Sequence, residues 1–505
     1  MKFNFLNRQN NVTVNHEGAK AYRLTPEMEL YTAVVTTGLN DTAYEQSNQR
    51  LKRITALIAQ CDPEFVARLA VYARAQMNLR SVPLVLSVEL AKSVSGNTVV
   101  SRAISNVIQR ADEITELLAY YQAANARTGT KKLNRLSKQV QKGLVASFNK
   151  FDEYQFAKYN RDTDVKLRDA LFLVHPKAKD EAQQELFNKI AADKLATPYT
   201  WETELSALGR QKFATAAEKK QAVAAKWAEL IASKKIGYMA LMRNLRSILE
   251  ADVPGYCIQM VCEYLSNEKA VAGSKQLPFR FLSAYRELKD LRSGYTSAIL
   301  GALEDAVMQS AKNIKGFGYD TSVVIACDVS GSMQVPVSTR SSVKLYDIGL
   351  MLGMLLQSQC RNVTTGMFGD RWKAINMPSR NVLSNVMEYY RREGEVGYAT
   401  NGYLVIEDLI AQRKKVDKVM LFTDVQMYDS GLFGNSVQNS WKRYKEMAPN
   451  AKLYLFDLAG HGNTPLDISR NDVYLIAGWS DKIFDLLYSL ENAGNALDAI
   501  KDIEL

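Results

Sequence analysis

The hydrophobic period changes once along the chain, at GFGYD (residues 316–320), and no other feature limits the possible fold as strongly. Upstream, apolar residues recur every three to four positions. In CDPEFVARLAVYARAQMNLR, Asp62 suits a helix N-cap and Pro63 the first helical position. Phe65, Val66, Leu69, Ala70 and Ala73 then fall on one face. Similar stretches at residues 51–60, 83–92, 99–121, 216–233 and 297–314 predict one short amphipathic helix after another, with β-branched alternation nearly absent. No exact repeat length emerges, yet such a succession predicts stacked helical pairs of the α-solenoid kind.

Downstream the grammar is different. SVVIACDVS, NVTTGMF, KVMLFTD, KLYLFDL and DVYLIAG are continuous apolar runs, separated by helical stretches such as YDIGLMLGMLLQSQ, NGYLVIEDLIAQR and SWKRYKEM. Buried strands alternating with helices predict a doubly wound, Rossmann-like α/β fold with a parallel sheet. With 505 residues the chain exceeds one ordinary core, and two domains follow: a helical module over 1–315 and an α/β domain over 316–505.

No apolar run approaches the roughly 20 residues that span a bilayer. The start, MKFNFLNRQNNV, lacks the apolar core of a signal peptide. The five cysteines, at 61, 257, 262, 327 and 360, have neither disulfide nor zinc-ligand spacing and read as reduced core thiols. The expected location is the cytoplasm, with no membrane partner.

Charge is distributed unevenly. Residues 1–316 hold 45 Lys+Arg against 32 Asp+Glu, a net of +13; the remaining 19 against 22 give −3, and the two sum to the whole-chain +10. The excess peaks between Leu117 and Phe151, where Arg127, Lys131, Lys132, Arg135, Lys138, Lys142 and Lys150 stand without one acid. A solvated helix face interleaves acids with its lysines, whereas a polyanion-binding surface does not. Tyr121, Phe148, Phe151, Tyr154, Phe156 and Tyr159 flank this run and are read either as stacking surfaces or as helix-packing residues. Arg243 and Arg246 in ALMRNLR have two readings, facing a polyanion or snorkelling over an interhelical groove to pair with carboxylates, the first favoured for Arg243 and the second for Arg246; Lys275 and Arg280 in GSKQLPFR are further loop-proximal cations.

At the other end, Asp328, Ser330 and Ser332 form D-x-S-x-S directly after an apolar strand. Ligands in doubly wound folds bind beyond the carboxyl ends of strands. A carboxylate with two hydroxyls is a hard-oxygen set suited to Mg²⁺, with Mn²⁺ as the alternative. Asp424, which closes KVMLFTD, and Thr400 in GYATNG are the candidate ligands from other loops. Two other readings compete: a serine nucleophile, for which His461 is the only plausible base and the G-x-S-x-G elbow is missing, and a polar turn without ligand.

These residues in this order resemble a von Willebrand factor type A domain with a metal-ion-dependent adhesion site. The helical half is similar to the Ro autoantigen, or TROVE, family, through YMALMRNLRSIL, VCEYLSNEKAVAGSKQLPFRFLSAYREL and LRDALFLVHPKAK. The resemblance covers nearly the whole chain. It implies a HEAT-like helical ring, monomeric, closed by the A domain. It also implies a small Y-like RNA on the basic outer surface, and ends of misfolded noncoding RNA in a central hole. In bacterial relatives the Y RNA tethers an exoribonuclease such as polynucleotide phosphorylase. Lys142 and His175 match positions that face RNA in the family, and Asp328, Ser330, Ser332, Thr400 and Asp424 match its metal pattern. One departure concerns Thr400, whose loop usually carries preceding glycines; here Tyr398 and Ala399 stand there. The reading is an RNA-binding protein of ribonucleoprotein particles, not an enzyme. The alternative is a metal-dependent scaffold whose A domain grips an acidic partner.

Overall fold

The computed structural model describes residues 12–16, 18–37, 46–125, 136–274, 276, 278–311, 320–337, 341–358, 360–378, 380–428, 436–468, 472–478 and 496–505. The chain divides into two compact units, residues 52–226 with 500–505, and residues 1–51 with 227–499.

The first unit is helical. Asp62 caps the helix Pro63–Ala75, its Oδ1 accepting the backbone N–H of Glu64 at 2.8 Å and of Phe65 at 3.0 Å. That helix packs on Ser81–Ser93 and on Val99–Val107, and Val99–Val107 packs in turn on Lys138–Phe148. The last contact is close: a Cβ at Gly143 would come within 2.7 Å of Ile104. The single helix expected over residues 99–121 is two, broken at Ile108 and resumed as Asp112–Ala124. Glu113 causes the break. Its Oε2 accepts the N–H groups of Gln109 and Arg110 at 2.8 and 3.1 Å, satisfying donors that begin a new helix. Its other oxygen takes the Arg74 guanidinium at 3.0 Å in the buried interior.

The second unit contains the sheet. Strands β1 (Val12–Val14) and β2 (Lys20–Arg23) form a hairpin, and β2 pairs with a short strand, Asn463–Thr464. This hairpin corrects the expectation of an all-helical start. Val12, Thr13 and Val14 are β-branched, and Gly18 supplies a φ of +78° in the turn. The helices Pro26–Val35, Tyr238–Arg243, Gly255–Ser266, Pro278–Leu288 and Thr296–Ala311 belong to the same unit.

The central sheet has β3 (Ser322–Asp328), β4 (Asn362–Phe368), β5 (Trp372–Ala374), β6 (Lys418–Thr423), β7 (Lys452–Asp457) and, after Asn463–Thr464 as β8, β9 (Val473–Ala477). The order is β5-β4-β3-β6-β7-β9. All neighbours are parallel except β4 and β5, so the sheet is mixed rather than purely parallel. Antiparallel β5 follows from the tight Gly369–Arg371 turn, where the Gly369 N–H donates to the Arg371 carbonyl at 3.0 Å and folds the chain back on β4. Strands β3, β6 and β7 are buried almost throughout, as their unbroken apolar runs require. Their carboxyl ends stand side by side.

Candidate cation site and nucleic-acid interface

Three aspartates lie at those ends: Asp328 closes β3, Asp424 follows β6 and Asp457 closes β7. All three are buried. Asp328 Oδ1 accepts the Ser330 N–H at 2.9 Å, and Oδ2 accepts the Thr423 hydroxyl at 2.7 Å. The hydroxyls of Ser330 and Ser332 are 3.2 Å apart. Asp424 Oδ1 accepts the Gln426 N–H at 3.1 Å. Burial and the neighbouring Asp424 charge push the Asp328 carboxyl up to about 7, against the pull of its hydrogen bonds. Two carboxylates that repel each other out of water, beside two hydroxyls, match a divalent hard cation. Among the described residues, no group of three or more His, Cys, Asp or Glu side chains is placed to hold a metal, so hydroxyl and water oxygens would complete any coordination here.

Thr400 joins the same cluster of loops. Its hydroxyl donates to the Gln426 carbonyl at 3.0 Å, which leaves the oxygen lone pairs for a cation, and its carbonyl accepts the Tyr428 N–H at 3.1 Å. The glycine that this loop uses stands at 397, with φ +74°, where a Cβ would collide with the Asp370 carboxylate. Asp370 Oδ1 in turn accepts the Ala399 N–H at 3.2 Å.

Several supporting residues are absent from the sequence reading. Asp457 is pushed up to about 6 by burial, although the N–H groups of Gly460 and Ala459 and the charge of Arg50 pull it down. The signal was present, since the apolar run KLYLFD ends in aspartate as SVVIACD and KVMLFTD do. Val425, at φ +61°, is a β-branched residue in the left-handed region, a conformation costing about 1–3 kcal/mol that surrounding structure must enforce. The N-terminal hairpin provides part of that structure. Asn15 Nδ2 donates to the Met427 carbonyl at 2.8 Å, and the His16 N–H donates to Gln426 Oε1 at 2.9 Å. His461 lies edge-on to the His16 ring, with centroids 5.5 Å apart.

Of the cations named for RNA, Arg127, Lys131, Lys132, Arg135 and Lys275 lie outside the described residues. Lys138 and Lys142 are exposed, one turn apart on Lys138–Phe148. His175 is exposed and left-handed, at φ +49°, just beyond the helix Leu167–Val174. Gln141 Nε2 donates to the Val174 carbonyl at 3.0 Å, which brings His175 alongside the lysine-bearing helix. Lys150 serves structure instead, its ammonium donating to the carbonyls of Ile108, at 3.2 Å, and Ser105. Most flanking aromatics are core: Phe148, Phe151, Phe156 and Tyr121 are buried. Tyr159 lies under the Arg110 guanidinium at 4.2 Å, and Tyr154 is exposed.

In the other unit, Arg243 and Arg280 are neighbours. Burial and the Arg243 charge lower the Arg280 pKa, and no acidic side chain pairs with either among the described residues. Two neighbouring guanidinium groups without an acid partner suit an anion. Arg246 is different, bonding Glu250 at 2.8 Å and approaching Glu287 at 3.6 Å.

Comparison with known proteins gives matches over both halves. A model of the TROVE domain matches residues 29–224 and 191–315, and a model of the Ro60 vWA domain matches residues 322–490. Telomerase protein component 1 from Rattus norvegicus and from Mus musculus are each 24% identical over 329 residues. Those matches cover 50% of this chain but only 12% of each relative. The crystal structure of the Ro (RSR) protein of Deinococcus radiodurans superposes with a TM-score of 0.61 at 18% identity, over 92% of this chain and 100% of that one.

Proposed function

The chain belongs to the TROVE-domain family, an RNA-binding family, and carries the Ro60-type A domain; from that premise we propose that it is a non-enzymatic component of ribonucleoprotein particles. Its basic helical surface holds a small structured, Y-like RNA, and unpaired ends of misfolded noncoding RNA enter the central hole that the family resemblance implies. In this reading the particle serves RNA quality control or processing, with an exoribonuclease as an RNA-tethered partner.

One observation carries the proposal. Lys138, Lys142, His175 and Lys177 are exposed along two adjoining segments, and none is in an ion pair among the described residues. Cations left without acids are the ones that phosphates can neutralise. Shape and backbone recognition of A-form RNA needs no base-reading motif. The A domain contributes a Mg²⁺ site from Asp328, Ser330, Ser332, Asp424 and Thr400, which orders the loops around it.

A second reading keeps the A domain as a grip for a carboxylate-bearing protein. Tyr398 and Tyr428, 53% and 41% exposed, flank the site loops as a docking surface would.

Purified full-length protein tests the choice. The RNA reading expects co-purifying nucleic acid, seen in the absorbance ratio at 260 and 280 nm, and gel retardation of a structured RNA that stays intact with Mg²⁺. Protein free of RNA that retards none contradicts it, and cleavage of the RNA contradicts the non-enzymatic part.

A further inference from the structure

Helix Leu167–Val174 displays Arg168 and Phe172 one turn apart, His175 follows at its C-cap, and all three are exposed. Phe172 is 50% accessible and the Arg168 guanidinium lies 5.7 Å from its ring centroid. A single apolar ring in water is ordinary; its surroundings are less so. The segment after the helix is fastened along Lys138–Phe148. Gln141 Nε2 donates to the Val174 carbonyl at 3.0 Å, Asn149 Nδ2 to the Lys177 carbonyl at 2.9 Å, and the Lys179 N–H to Asn149 Oδ1 at 3.0 Å. Those bonds hold the segment along the helix that carries Lys142, with His175 near Gln141 and Lys177 at Asn149. Asp169, exposed on the same helix, accepts the Lys166 N–H at 3.4 Å. Phe172 therefore stands beside the helix that carries Lys138 and Lys142, with the Arg168 guanidinium already against its ring.

Phosphates alone give an aromatic ring nothing to bind, and a closed duplex offers it no open base face. An unpaired base offers both a π-face and a flanking phosphate on each side. We propose that Phe172, with Arg168 beside it, is a stacking platform for an unpaired RNA base whose neighbouring phosphates lie over Lys142, His175 and Lys177. The platform deepens the RNA-binding reading and rests on it. The ligand it selects is RNA in which a single-stranded segment adjoins a duplex.

Fluorescence anisotropy at fixed salt, with two RNAs of equal nucleotide number, tests this. One is a two-strand blunt duplex and the other a shorter two-strand duplex with an unpaired tail. Phe172→Ala is expected to weaken the tailed RNA about tenfold, the order of one lost stacked base, and the blunt duplex by less than about twofold. Phe172→Trp is expected to keep the parent affinity for both. Lys142→Glu, the charge control, should weaken both RNAs. Parent-like binding of the tailed RNA by Phe172→Ala, or equal losses on the two RNAs, overturns the platform while leaving RNA binding in place. Failure of the parent to bind either RNA overturns the platform and the RNA reading together.

Discussion

At the scale of single residues, Asp328 concentrates the chemistry of the A domain. Its carboxyl is held at about 7, against an ordinary value near 4, so it binds its proton more tightly in the folded chain than in the unfolded one. The metal-free protein is therefore favoured below about pH 4 and loses that advantage as pH rises to about 7, where the buried carboxylate must ionise beside Asp424. A cation binds only the ionised form and reverses the sign. Added Mg²⁺ should raise the melting temperature clearly at pH 8 and hardly at pH 5, and Asp328→Asn should abolish the response. Thermal melting with Mg²⁺ and with chelator at both pH values checks this; an equal Mg²⁺ shift in parent and variant would remove Asp328 from the site. D-x-S-x-S was legible because its residues alternate on one turn after a recognisable strand. The bracing from Asn15 and His16 was not, since it joins positions more than four hundred residues apart. Nothing local in Asn15-His16 marks such a partner.

At the scale of elements, the helix Pro278–Leu288 is locked to the first helix of the α/β domain, Leu345–Gln357. Arg286 donates through both terminal nitrogens to Asp347, at 2.7 and 2.6 Å, and its guanidinium lies 5.5 Å from the Tyr390 ring centroid. Asp347 is fully buried and also accepts the Lys344 N–H at 2.8 Å. Lys344 Nζ reaches Gln334, in the turn that follows Ser332, at 2.7 Å. Beside this contact, Glu304 accepts the N–H groups of Leu383 and Ser384 at 2.9 and 2.8 Å, capping the helix Val382–Arg392. Breaking one partner of a buried bidentate pair leaves an uncompensated charge, so Arg286→Ala should cost about 3–5 kcal/mol in urea unfolding. A loss within about 0.5 kcal/mol would show the pair to be no more than a surface contact. YDIGLMLGMLLQSQ read as a helix, and its Leu350, Met351, Leu352, Met354 and Leu355 are buried in Leu345–Gln357. The sequence reading did not find the ion pair, because Arg286 and Asp347 meet only through tertiary packing. Helix existence was likewise easier to read than helix ends. The stop at Ile108 depends on Glu113 turning back to cap Gln109 and Arg110, and the β1–β2 hairpin depends on pairing with Asn463–Thr464.

At the scale of the whole molecule, the division of charge follows the division of chemistry. The net +13 lies in residues 1–316 and the net −3 in the remainder, so the proposed function assigns attraction of a polyanion to the helical part and the proposed cation site to the α/β part. The order of a helical module before an α/β domain was readable from the single change of hydrophobic period. The grouping of residues 1–51 with 227–499 was not, because periodicity reports local structure and not which distant segment covers it. A filter-binding titration of a structured RNA from low to high salt tests the division most directly. Lys138 and Lys142 share one exposed helical face, and losing two phosphate contacts should flatten the slope of log affinity against log salt by about 1–2. Lys138→Glu with Lys142→Glu should therefore bind more weakly and with that flatter slope, while Asp328→Asn keeps the parent affinity and slope. Parent-like affinity and slope in the double lysine variant would contradict the assignment of RNA to this surface.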